Sequence, residues 1–198
     1  MMRTLLIALF LTLGLATPSL AAQTEQAKTF IDNVGQQAMN TIQARQSGKL
    51  TDEAAKEDFR KLLGQSFDIP TIAKFTLGRY WRVATPAQQA EFTGLVQDII
   101  INKYADRLLN ASTGTYSISG ARALNETDYS VNMDIKPEGD SPIGFVWRVR
   151  NIGGKLKVID LAVEGISMSV TNRSDFASVI ERNGGNVQAL IDKLKSKQ

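Results

Sequence analysis

Residues 129–150, YSVNMDIKPEGDSPIGFVWRVR, decide the fold class. Tyr129, Val131, Met133 and Ile135 alternate with Ser130, Asn132, Asp134 and Lys136. After the Pro137-Glu138-Gly139-Asp140-Ser141-Pro142 turn, Ile143, Phe145, Trp147 and Val149 stand opposite Arg148 and Arg150. A period of two sends successive side chains to opposite faces of a strand, so the stretch predicts two half-buried antiparallel strands joined by a turn. Upstream, Tyr116 and Ile118 start another strand after Gly114. Downstream, Asn151-Ile152-Gly153-Gly154 is a turn, and residues 156–170 read as one long strand or two short ones. Their alternation slips between Val158 and Ile159, and Gly165 marks a bulge or bend that would curve the sheet.

On both sides of this block the spacing becomes helical. From Thr24 to Arg45, Ala27, Phe30, Val34, Ala38 and Ile42 recur at three- and four-residue steps, and Ser47-Gly48 closes the helix. Thr51-Asp52-Glu53 caps a second helix that carries Phe59, Leu62, Leu63 and Phe67; Asp68 before Ile69-Pro70 starts a short third one that Gly78 ends. Thr85-Pro86-Ala87-Gln88 is a capping box opening a fourth helix to about Asn110, with Phe92, Leu95, Val96, Ile99, Ile100, Tyr104 and Leu108 on one stripe. Helical spacing returns over 174–182 and 187–195, separated by Asn183-Gly184-Gly185. The predicted class is α+β: a curved antiparallel sheet of about four strands whose apolar face is covered by helices and faced by the long fourth helix.

The chain has 198 residues, 43% hydrophobic and 22% charged, with 23 Lys plus Arg against 20 Asp plus Glu. This even mixture makes no large positive field, which argues against nucleic acid as a partner. There is no Cys and no His. Thiol nucleophiles, imidazole bases, disulfides and Cys/His zinc sites are therefore excluded. Met1 to Arg3, the apolar run Thr4 to Ala16 and the small residues Ser19 and Ala21 follow the pattern of a secretory signal. The expectation is cleavage after Ala21, dividing the chain into a signal peptide (1–21) and one exported domain (22–198).

For catalysis the best constellation is Asp160 and Glu164, with Tyr129 or Tyr104 as a phenol partner. A structural role for Asp160 is favoured over it: a carboxylate on an apolar strand needs a cation or backbone amides, and Arg148, Arg150 and Arg173 are candidates. The Gly-Gly pairs lack the Lys-Ser/Thr of a phosphate loop, and no calcium loop is present. An apolar sheet face under an apolar helix leaves two outcomes, a dry closed core or a cavity for an apolar ligand.

Two blocks carry a family resemblance. The first is Phe67-Asp68-Ile69-Pro70-Thr71-Ile72-Ala73-Lys74-Phe75-Thr76-Leu77-Gly78-Arg79-Tyr80-Trp81, followed by Thr85-Pro86 and Phe92. The second is Asp160-Leu161-Ala162-Val163-Glu164-Gly165-Ile166-Ser167-Met168, followed by Thr171, Arg173 and Phe176. In this order, behind a signal peptide, they resemble the MlaC or toluene-tolerance auxiliary family of periplasmic lipid-transport proteins. Asn172 stands where that family often has an aromatic residue.

The resemblance implies an NTF2-like fold and a periplasmic carrier, not an enzyme. Such a carrier ferries phospholipid between an outer-membrane lipoprotein complex and an inner-membrane ABC transporter complex, without a cofactor or metal. A hopanoid-associated branch makes a polycyclic lipid an alternative ligand, and a small NTF2-like isomerase is the alternative activity. The expected lipid-binding residues are Phe75, Val96, Ile100, Tyr104, Leu108, Tyr129, Val131, Met133, Phe145, Trp147, Val149, Val163, Ile166 and Met168. Asp160 and Arg173 are expected to pair structurally. On this reading Val131→Trp folds nearly as well as the wild type and carries less lipid.

Overall fold

Side-chain caps fix where the helices begin. The computed structural model describes residues 19–109, 114–137, 139 and 141–196, with 101–109 described by their backbone alone. Ser19 caps α1 (Leu20–Gln46) and Thr51 caps α2 (Asp52–Ser66), each accepting from a backbone N–H three residues on. Asp68 caps α3 (Ile69–Leu77), which runs into a short 3-10 turn (Gly78–Arg82). The capping box forms reciprocally at α4 (Pro86–Leu109): Gln88 N donates to Thr85 Oγ1 at 3.2 Å, and Thr85 N donates to Gln88 Oε1 at 3.0 Å. The predicted cleavage site after Ala21 falls in the first turn of α1, while residues 1–18 of the predicted signal lie outside the described residues.

The strands β1 (Gly114–Ala123), β2 (Asp128–Pro137), β3 (Ile143–Ile152), β4 (Lys155–Val163) and β5 (Ile166–Ser167) form one antiparallel meander in sequence order. Register shifts at Ile118/Gly120 on β1 and between the Arg148–Asp160 and Val149–Val158 pairs bend the sheet. The second is the phase slip legible at Val158-Ile159; both residues are buried. The observed class is therefore α+β with a curved antiparallel sheet.

The end of the strand block differs from expectation. Glu164 and Gly165, both at positive φ, make a two-residue hairpin turn, and β5 lasts only two residues. Ser167 then accepts from Val170 N and caps α5 (Met168–Arg182), so the helix begins six residues before the predicted Ser174. Alternating apolar residues at 166, 168 and 170 imitate a strand, and the serine cap overrides them. Asn186 caps the last helix, α6 (Val187–Lys195).

The partner of the sheet also differs. The helix lying on β1 and β2 is α1, not α4. Gly35 on α1 makes this approach possible, because a Cβ there would stand 3.0 Å from the Tyr116 ring and 3.2 Å from Met133 Cε. The stripe of α4 instead packs into a helical cluster with α3, α5 and α6, where Phe92 meets Phe176 edge-on at 5.5 Å. A hydrophobic period identifies the buried face of a helix but not what buries it. Two further apolar clusters complete the interior: one between α1 and α2, and one between α1 and the sheet.

Candidate functional site

Where the three clusters meet, the packing leaves an apolar cavity of about 120 Å³. Its helical side is hydrocarbon: Val34 and Ala38 from α1, Phe59, Leu62 and Leu63 from α2, Phe67 at the end of α2, Ile72 from α3 and Ile100 from α4. The opposite side comes from β3, β4 and α5, as Trp147, Asp160, Leu161, Met168, Ser169 and Asn172. All the polar lining residues lie on this second side. Trp147 meets Phe67 edge-on, with ring centroids 6.2 Å apart.

Asp160 joins β4 to the start of α5. Its Oδ2 accepts from Ser167 Oγ at 2.6 Å and its Oδ1 from Ser169 N at 3.1 Å, so the carboxylate faces the positive end of the α5 dipole. This is a turn-stabilising arrangement with partners other than the expected one. Among the described residues Asp160 and Arg173 form no ion pair; the Arg173 guanidinium lies over the Phe75 ring, 5.1 Å from its centroid. The catalytic constellation is not assembled around Tyr129 either, because the Tyr129 hydroxyl donates to Gln23 Oε1 at 2.6 Å and lies 3.2 Å from the Glu126 carbonyl.

Of the residues expected to bind lipid, Ile100, Trp147 and Met168 line the cavity. Tyr129, Val131, Met133 and Val149 are sealed with Ala27 and Ile31 beneath α1, and Phe145 packs at the margin of that cluster. These positions are packed core in this structure and do not line the cavity. Val96 lies in the helical cluster. Phe75 and Ile166 are exposed, and Val163 is half-buried where β4 turns into β5. The side chains of Tyr104 and Leu108 lie outside the described residues. The lining from α1 and α2 is not among the expected site residues, although Val34, Phe59, Leu62 and Leu63 stand on apolar helix faces in the sequence. Phe67 and Leu161 stood inside the two resemblance blocks.

A buried carboxylate held by two arginines lies outside the cavity, and no sequence motif marks it. Asp128 is 1% exposed at the start of β2; Arg150 donates to it at 2.6 and 2.8 Å, and Arg148 at 2.9 Å. Hydrogen bonds from Arg150, then from Arg148, overcome the desolvation penalty and hold the carboxyl at about 2. Alternation sets both arginines opposite the apolar face, where they are candidate partners for Asp160, and it carries no sign of the carboxylate they share. On β1, burial first and the neighbouring Asp32 carboxylate second push the Tyr116 phenol up to about 12.

Fold and cavity together define a class: an α+β protein with a helix-covered antiparallel sheet and an apolar pocket between its packing clusters. Residues 32–196 match the family described as MlaC protein, and the chain belongs to that family. It is 24% identical over 184 residues to the toluene tolerance protein ttg2D of Pseudomonas putida, covering 92% of this chain and 86% of that protein. It is 28% identical over 124 residues to the intermembrane phospholipid transport system binding protein MlaC of Haemophilus influenzae, covering 60% and 56%. A phospholipid-binding protein from Ralstonia solanacearum, solved in complex with a phospholipid, superposes with a TM-score of 0.75 at 25% identity, covering 86% of this chain and 95% of that one.

Proposed function

We propose that this chain is a periplasmic carrier that takes up phospholipid and passes it between an outer-membrane lipoprotein complex and an inner-membrane ABC transporter complex. The observation that carries this reading is the apolar cavity at the seam of three packing clusters, in a fold whose solved relative was captured with a phospholipid. The exported form on this reading begins near Ala22 and is a single lipid-binding unit. Among the described residues, no helix is long and apolar enough to cross a membrane.

The energetics explain why a carrier suits this cargo. At about 0.8 kcal/mol per methylene, two acyl chains with about 30 methylenes are on the order of 24 kcal/mol more stable in the protein than in water. Loss to water is negligible. A bilayer shelters the chains nearly as well, so exchange with a membrane complex is close to neutral, and direction comes from the partners' relative affinities or from ATP use. No step in this cycle requires a catalytic group.

At about 120 Å³ the cavity is smaller than the ~300–1,000 Å³ typical of ligand pockets. Loading a two-chain lipid therefore widens the seam between the walls of this cavity. The seam is the natural place for this, since it is where the packing of the three clusters already leaves space. Gentle purification from a periplasmic extract, followed by lipid and intact-mass spectrometry, tests the proposal. The expected result is about one phospholipid per chain and a protein mass starting near Ala22. A lipid-free protein, or one retaining residues 1–21, contradicts it.

A further inference from the structure

The cavity lining is divided by polarity. The α1–α4 side offers only hydrocarbon, whereas Trp147, Asp160, Ser169 and Asn172 all come from β3, β4 and α5. Asp160 already accepts bonds at both carboxylate oxygens. Trp147 is in the opposite condition: its indole Nε1 is buried without a hydrogen-bond partner among the described residues, the one such side-chain atom found among them. Native structures rarely leave a buried donor unpaired, and an orphan at a binding site calls for an explanation. An indole N–H can only donate, so what it lacks is an acceptor.

We infer that Trp147 Nε1–H donates to an ester carbonyl of the bound lipid, making the β3–β4–α5 wall the place where the glycerol ester lies and the helical wall the place where the acyl chains lie. This deepens the lipid-carrier reading and rests on it. It makes the pocket selective for lipids with a carbonyl at the head of the chain, and it counts against lipids whose buried part is hydrocarbon alone. A hydrocarbon ligand would leave the indole N–H dry and unpaired. An ester carbonyl supplies the missing acceptor within an otherwise apolar molecule.

The test compares a diacyl phosphatidylglycerol with its dialkyl ether analogue, equal in headgroup and chain length but lacking both carbonyls. Delipidated full-length exported protein should prefer the diacyl lipid by about tenfold, the effect of one hydrogen bond worth about 1.4 kcal/mol. Trp147→Phe should bring the two lipids to within about twofold while still binding both. The chain has two tryptophans, so two indole N–H resonances are expected, and Trp81 serves as the control. The Trp147 resonance should shift with the diacyl lipid and stay near its lipid-free position with the ether.

Equal binding of both lipids by the wild type overturns the inference and leaves the carrier reading intact. So does a diacyl preference that persists in Trp147→Phe or occurs without an indole shift. Failure of both lipids to bind removes the carrier reading and the inference with it. If Trp147→Phe does not fold, the wild-type preference and the resonance shift decide between these outcomes.

Discussion

Val131 on β2 and Trp147 on β3 are direct cross-strand partners, so their side chains share one face of the sheet. Val131 is fully buried beneath α1, while Trp147 borders a cavity. The difference comes from what lies above each strand. Over β1 and β2 a single helix is brought close by Gly35 and fills the face with Ala27 and Ile31. Beyond Trp147 the cover is assembled from parts of α1 to α5, with Val34 of α1 and α2 anchored in one cluster and α3, α4 and α5 in another, and their seam does not close. A one-helix lid gives dry core; a cover of several helices leaves a pocket.

Substitutions on the two sides should respond differently. The largest effect is expected at Ile31→Ala, where full burial under α1 predicts a loss of about 2–5 kcal/mol in urea unfolding. A loss below about 1 kcal/mol would show that the α1 side is looser than its packing indicates. Asp128→Asn comes next. It removes the carboxylate that ties β2 to Arg148 and Arg150, with an expected cost of about 1–2 kcal/mol at neutral pH because both arginines are partly solvated.

The pH dependence of that cost has a fixed sign. A carboxyl lowered from its ordinary value to about 2 by folding stabilises the protein fully above about pH 4, and the contribution disappears as pH falls through about 2. The stability gap between wild type and Asp128→Asn should therefore shrink over that window. A gap unchanged at pH 2 would mean that the arginines are not its source. The smallest effect is expected at Leu161→Ala, a half-buried residue already beside empty space, at about 1 kcal/mol or less.

These contrasts also show what could be read from the sequence. Alternation over 129–150 and the caps at Thr51, Asp68 and Thr85 depend on neighbours in the chain, and they located the strands and helix starts. Whether Val131 or Leu161 faces a cavity depends on helices distant in sequence, and periodicity does not choose among them. The assignment of α4 to the sheet failed for this reason, and most of the residues expected to bind lipid lie away from this cavity. The ion cluster at Asp128 was hidden because its arginines lie about twenty residues away, and their alternation fits Asp160 as a partner equally well. The start of α5 was lost to a short apolar alternation that a single serine cap overrides.

The central claim is that lipid occupies the seam at Leu161 and not the α1-covered face at Val131. Phospholipid content per folded chain, measured by native mass spectrometry on Leu161→Trp and Val131→Trp beside the wild type, tests it most directly. An indole at 161 can occupy the cavity, so Leu161→Trp should fold within about 1 kcal/mol of the wild type and carry several-fold less lipid. Overpacking at 131 should cost about 1–3 kcal/mol, with the folded fraction still loaded. Normal loading of Leu161→Trp together with a stable, lipid-depleted Val131→Trp would contradict the account and move the pocket to the sheet face under α1.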